Sequence, residues 1–219
     1  SPTKPSELLD AARGIAPVLE AEAQASEELG TLNARAVEAL VGSGLYDIML
    51  PRELGGAEAD PVTQALVFEE LSRADGSAGW CVMAGATCSG MAGAYCGETA
   101  IDSMFGGRRN VVMGGHAAPL GQAAIEDSGY RVNGSWHFGS GTGHADWLIA
   151  GCVVADGDGP VKQPNGMPEI RVVHARHADV QFLGNWDVMG LRGTGSFDYA
   201  LKDLFVPAEF TYAIGANPQ

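Results

Sequence analysis

Near residue 106 the sequence changes its hydrophobic period, and that change decides most of what the chain can become. Before it, apolar residues recur three and four apart: Leu8, Ala12, Ile15 and Leu19, then Leu32, Ala36 and Leu40 up to "GSG". That is the spacing of one helix face. "DPVTQALVFEELSR" opens with Asp60 as N-cap and Pro61 in the first turn, where a missing N–H costs nothing. Val62, Leu66 and Leu71 are its expected apolar face, and a short helix is expected from Glu98 to Phe105. After residue 110 come "NVVMGG", "YRVNGSWHF", "DWLIAGCVVA", "IRVVHAR" and "VQFLG". These are short β-branched or aromatic runs broken by Gly, Asp, Asn and Pro, which read as strands. The expectation is an α+β chain: a helical domain over 1–108, then an antiparallel β-barrel or sandwich over 109–219. The boundary falls near "GGRRN", and the polar run 156–169 forms a hairpin loop.

From Gly76 to Gly97 no charge occurs: "GSAGWCVMAGATCSGMAGAYCG". Its Gly, Ala, Ser, Thr and Cys content makes insertion into a bilayer weakly favourable, so a helix buried in a bundle fits better. Gly85, Ser89 and Gly93 recur at four and present a smooth face for close approach of another helix. The formal charge of −14 disfavours nucleic acid and anionic membrane surfaces, and Arg108-Arg109 reads as a solvated pair. Cys81, Cys88 and Cys96 lie on similar sides of one helix, too far apart to bridge each other. Cys152 is remote, and no C-x-x-C occurs. Together with the lack of a signal-peptide pattern, this points to a reducing cytoplasm.

"WHFGSGTGHADW", residues 136 to 147, concentrates the chemistry. It lacks ligand spacing for a metal: His137 and His144 have no Cys or carboxylate set with ligand spacing around them, and His174 and His177 would point to opposite faces of a strand. It is also no nucleophile elbow, and neither a Walker pattern nor G-x-G-x-x-G after a strand is present. A shaped, nearly uncharged pocket of aromatics, glycines and one hydroxyl remains, and that suits an organic cofactor.

Together with "LPRELGGAEADPVTQALVFEELSRADGSAGW" and "NWDVMGLRGTGSFDYALKDLFVP", this stretch resembles the acyl-CoA dehydrogenase superfamily. The W-x-F-x-S-G form at 136–141 is more similar to its flavin-dependent monooxygenases, the oxygenase components of p-hydroxyphenylacetate and secosteroid phenol hydroxylases. Dehydrogenases usually carry a lysine-containing version ending Thr-Asn-Gly.

The resemblance implies a flavin, FAD or FMN supplied reduced. Trp80, Gly114, Gly115, His116, Phe138, Gly139 and Ser140 would bind it, with His116 and Ser140 as catalytic candidates. A hydroxyl at 140 would donate to oxidised flavin N5 or accept from reduced N5–H. Gly139 would bring backbone close to the ring, Phe138 would form an apolar wall, and Trp80 would border the pocket. His116 is unusual for the family and would hydrogen-bond a phenol or the flavin. In "GLRGTGS" the glycines would shape a connection, while Arg192 or Ser196 would reach a cofactor phosphate or a neighbouring subunit. His137 and His144 are expected to face solvent or cap turns, and Asp146 to satisfy backbone donors.

An aromatic or polycyclic substrate, a flavin reductase and a homo-oligomer are the implied partners. Family members continue into a C-terminal helical bundle that carries the base, whereas this sequence stops at "VPAEFTYAIGANPQ". The expectation is therefore a fragment or a short form, completed by a subunit that supplies that bundle. The alternatives are an FAD-dependent acyl-CoA dehydrogenase and a truncated, non-catalytic partner domain.

Overall fold

In a computed structural model, residues 1–107, 110–157 and 159–215 are described. The helical half comprises α1 (Pro5–Leu29), α2 (Ala34–Ser43), α3 (Pro61–Ala74), α4 (Gly76–Tyr95) and α5 (Glu98–Phe105). Caps explain these limits. Asn33, Asp60 and Asp75 each accept a backbone N–H at the start of α2, α3 and α4. Gly30 and Gly44 end α1 and α2 in the left-handed conformation, φ 75° and 76°, which glycine adopts without a Cβ clash.

Helix α3 buries a different stripe from the expected one. Thr63, Val67 and Leu71 face inward, while Val62 and Leu66 are 68% and 47% exposed. Of the expected face only Leu71 is core. The helix is held between α1 and α4, so contacts on two sides set its rotation, and the threonine methyl is accepted at a crowded position. The uncharged helix α4 is buried along most of its length. It meets α3 closely at Gly79, which is not on the expected smooth face: an added Cβ there would lie 2.0 Å from Ser72 Oγ of α3. Gly85 abuts Tyr46 and the Met113 carbonyl, and Gly93 abuts Leu50 and Pro51. The expected helix partner is thus mostly a looped segment and a strand.

The second half is one mixed sheet: β1 (Met113–Glu126), β2 (Gly129–Gly139), β3 (Trp147–Asp156), β4 (Gly159–Pro160), β5 (Ile170–Arg176), β6 (Gln181–Gly184), β7 (Phe197–Pro207) and β8 (Thr211–Ala213). The order is β6-β7-β2-β1-β3-β5-β8, with β4 paired to β3. The pairing is not wholly antiparallel, because β1 and β3 run parallel. The cause is the short turn after β2: β3 reverses against β2, crosses to the free side of β1, and so runs in the same direction as β1. Strand β1 also extends well beyond "NVVMGG", and β7 and β8 add pairing outside the expected runs.

The expected boundary at 108/109 and the Arg108-Arg109 pair lie outside the described residues. Two buried clusters cross the two halves: one joins Leu8, Leu40, Tyr46 and Val82 to Trp136, Leu148 and Tyr199, and the other joins Cys88 and Met104 to Trp147 and Tyr212. All four cysteines are free and buried, and burial pushes the Cys88, Cys96 and Cys152 thiols up to about 12. Among the described residues no helix is long and apolar enough to cross a membrane.

Gly85→Val should destabilise the fold by ~1–3 kcal/mol in urea unfolding, because the new atoms meet Tyr46 and backbone. Gly14→Ala, at an exposed position inside α1 with nothing within 4 Å, should instead stabilise by ~0.5–1 kcal/mol.

Candidate functional site

The end of β2 is bent, and the bend sorts the motif's side chains. Register with β7 shifts between Trp136 and Gly139. Phe138 takes φ 60°, a conformation that costs a non-glycine residue about 1 kcal/mol or more. The Ser140 N–H donates to the Phe138 carbonyl at 2.9 Å and closes the bend. An extra residue of this kind in an antiparallel pair re-aims its neighbours.

As a result Trp136 points into the core, donating Nε1–H to the Gly151 carbonyl at 2.8 Å and stacking on Tyr199. Trp147 is likewise core and stacks on Phe210. Phe138 turns outward, 66% exposed, with its ring edge-to-face against Trp186.

Ser140 follows the bend and meets α4. Trp80 Nε1–H donates to Ser140 Oγ at 2.8 Å. The serine itself is mostly buried, 8% exposed, whereas Trp80 beside it is 45% exposed. Ser140 Oγ also lies 2.7 Å from Ser196 Oγ, which lies 2.7 Å from Thr194 Oγ1, and Thr194 Oγ1 donates to the Leu191 carbonyl at 2.8 Å. Ser196 is thus hydrogen-bonded within the chain, to Ser140 and Thr194. Arg192 is likewise committed within the chain, donating to the Glu27 carbonyl and to Asp187.

The glycines gather here for packing reasons. A Cβ on Gly114 would meet the Ser140 carbonyl at 3.0 Å, and one on Gly139 would meet the Phe197 carbonyl at 2.9 Å and Tyr199 at 3.0 Å. Gly115 has φ 120°, and its Cβ would meet the Ile149 carbonyl at 2.3 Å. Close approach at Gly139 is therefore toward protein. His116 joins through its backbone N–H, which donates to the Tyr199 hydroxyl at 2.8 Å; its Nδ1 is buried without a hydrogen-bond partner among the described residues. Sequence reasoning missed Ser196 and Thr194 as neighbours of Ser140. Their only signal was the "GTGS" turn, read as a connection.

The remaining histidines divide. His137 is exposed and pairs with Asp198 at 2.7 Å. His144, expected to face solvent or cap a turn, lies against the buried Tyr46 hydroxyl at 3.0 Å, and burial pushes its pKa down to about 4. His174 is fully buried with its pKa also pushed down to about 4. Its Nδ1 lies 2.9 Å from the Phe210 carbonyl. Asp146 accepts the Val112 N–H at 3.0 Å. Among the described residues no three His, Cys, Asp or Glu gather as a metal-holding group. A cavity of about 220 Å³ lined by Trp147, His174, Arg176 and Phe210 shares no residue with this site.

Residues 6–101 match the family described as the acyl-CoA dehydrogenase, N-terminal domain, and the described residues share the fold of acyl-CoA dehydrogenase-fold neighbours. Within that fold its homologues are flavin-dependent monooxygenases. It is 34% identical over 209 residues to the "Flavin-dependent monooxygenase, oxygenase subunit HsaA" of Mycobacterium tuberculosis, covering 91% of this chain and 49% of that protein. The crystal structure of the HsaA monooxygenase from M. tuberculosis superposes with a TM-score of 0.86 at 28% identity, over 96% of this chain and 56% of that one. XiaF from Streptomyces sp., solved with FADH2 and glycerol, gives 0.86 at 26% identity, over 96% and 51%. The chain spans about half the length of the curated relatives it matches.

The two buried histidines set a pH dependence. Their folded pKa values of about 4 lie below the unfolded value of ~6.5. Their contribution is therefore complete above pH ~6.5 and is lost as pH falls toward 4. Each should remove about 2–3 kcal/mol from the unfolding free energy between pH 7.5 and 4.5. Urea unfolding of wild type, His144→Gln and His174→Gln at both pH values checks this, since each variant should show a shallower loss.

Proposed function

We propose that this chain is the flavin-ring-binding part of a flavin-dependent monooxygenase that hydroxylates an aromatic or polycyclic substrate. The observation that carries the reading is the Trp80–Ser140 hydrogen bond beside the outward-turned Phe138, in a chain whose homologues are monooxygenases of this kind. The residues suit a flavin ring. Two exposed aromatic side chains offer apolar contact, a hydroxyl retains an unused lone pair, and no charged side chain takes part in the hydroxyl network.

Reduced flavin would supply two electrons to O₂, one oxygen atom entering a substrate C–H bond and the other leaving as water. In this reading Ser140 meets the N5 edge, and Phe138 and Trp80 flank the ring and exclude water, which such chemistry requires. Gly114, Gly115 and Gly139 hold the three strands close enough to form the wall. His116, with its unpartnered Nδ1, is assigned to a hydrogen bond with a phenolic substrate or the flavin. A reductase would deliver the reduced flavin, as the name "oxygenase subunit" given to a relative suggests. Buried thiols are consistent with a cytoplasmic setting.

The name of the family matched by residues 6–101 favours a second reading, FAD-dependent oxidation of an acyl thioester. Anaerobic reduction of bound flavin by an acyl-CoA panel distinguishes it.

For the leading reading, photoreduced flavin, ¹⁸O₂ and a panel of phenols should give products labelled with one ¹⁸O by mass spectrometry. Ser140→Ala should weaken flavin binding about tenfold, the worth of one hydrogen bond, read by equilibrium dialysis. A protein that binds no flavin, or product without label, would refute the reading.

A further inference from the structure

The hydroxyls at the site form a chain whose proton order is determined by its two ends. At one end the Trp80 indole N–H is a donor only, and it points at Ser140 Oγ. At the other end the Leu191 carbonyl is an acceptor only, 2.8 Å from Thr194 Oγ1. Between them lie three hydroxyls, each with one proton, at 2.7 Å from Ser140 to Ser196 and 2.7 Å from Ser196 to Thr194.

Only one arrangement satisfies every contact. Thr194 donates to the Leu191 carbonyl, which obliges Ser196 to donate to Thr194, which obliges Ser140 to donate to Ser196. Thr194 is 1% exposed and Ser196 4%, so water does not readily substitute for a missing partner, and a broken link would cost the desolvation of a buried hydroxyl. Ser140 has therefore spent its proton inward and one lone pair on Trp80. What it can still offer is a single lone pair.

We propose that Ser196 and Thr194 are positioning residues that make Ser140 a hydrogen-bond acceptor toward the flavin, so that the site binds the reduced form, with its N5–H, in preference to the oxidised form. This rests on the reading that Ser140 faces flavin N5. Oxidised N5 carries no hydrogen and needs a donor. To supply one, Ser140 must break its bond to Ser196 and leave that hydroxyl's lone pair unpartnered. Reduced N5–H finds the lone pair ready. The two-way capacity expected of a lone serine is narrowed to one direction by residues that never touch the flavin.

The test compares wild type, Ser196→Ala and Thr194→Val with the same flavin in both redox states. Dissociation constants come from anaerobic ultrafiltration, and the midpoint potential of bound flavin is measured by dye equilibration. Wild type should bind reduced flavin more tightly. Ser196→Ala releases the Ser140 proton, so the ratio of oxidised to reduced dissociation constants should fall tenfold or more. The potential should then drop by about 30 mV per tenfold. Thr194→Val, isosteric and one hydroxyl removed from Ser140, lets Ser196 reverse its donation and should move both quantities the same way.

An unchanged ratio and potential in both variants, with flavin still bound, would overturn the proposal. Failure of wild type to bind flavin, or indifference of binding to Ser140→Ala, would instead remove the underlying reading. A variant that loses binding of both forms equally, with an unaltered ratio in the other, would also count against the proton order.

Discussion

Everything notable about this chain converges on one hydrogen bond, from the Trp80 indole N–H to the Ser140 hydroxyl. It ties the middle of the helical half to the end of a β strand, 60 residues away in sequence. An indole nitrogen can only donate, so the bond fixes which atom of Ser140 meets it and leaves the serine proton for another partner. Nearby contacts fix where the two elements begin and meet. Asp75 caps α4 and sets where its first turn begins. Glu27 then joins that turn to the loop of Ser196, accepting from the Ser77 hydroxyl and the Gly193 N–H.

The β side meets this joint at the cost of backbone strain. Phe138 adopts a conformation that favours glycine, yet glycine there would forfeit the exposed ring. The strain is offset by the core on either side of the bend. Trp136, fully buried with its N–H satisfied, anchors the strand immediately before it. Thr142, also fully buried, donates to the Gly139 carbonyl just after it. With both flanks fixed, the intervening residues have little freedom, which is how a sparsely populated backbone conformation persists. Removing side chains at Gly114, Gly115 and Gly139 allows β1, β2 and β3 to close around the same point.

The shared core has a further consequence for how the two halves relate. Side chains from α1, α2 and α4 pack in one cluster with those of β2, β3 and β7, so the elements that carry Trp80 and Ser140 are anchored in a shared core. A joint of this kind permits little relative motion. That stiffness suits a site in which a proton must sit on one side of a hydroxyl and not the other, because interiors packed to crystal density transmit displacement rather than absorb it.

Local signals carried a good part of this into the sequence. The cap at Asp60, the "GSG" ending at Gly44, the helical spacing from Leu8 to Leu40 and the change of period after residue 106 are all short-range physics. They made the order of helices followed by strands legible. The resemblance named Trp80 and Ser140 for the same expected flavin site, but the hydrogen bond that joins them was not legible in the sequence. Other features depended on contacts between distant segments. The rotation of α3 toward Thr63 and Val67 was decided by α1 and α4 pressing from two sides, against the more hydrophobic Val62 and Leu66. The parallel run of β3 beside β1 followed from which edge remained free, and the burial of His144 from where Tyr46 arrived. Above all, the proton order at Ser140 arises because a glycine-rich turn some 55 residues downstream delivers two more hydroxyls and a carbonyl. A sequence states which groups can donate or accept; only the folded chain decides which of them face one another.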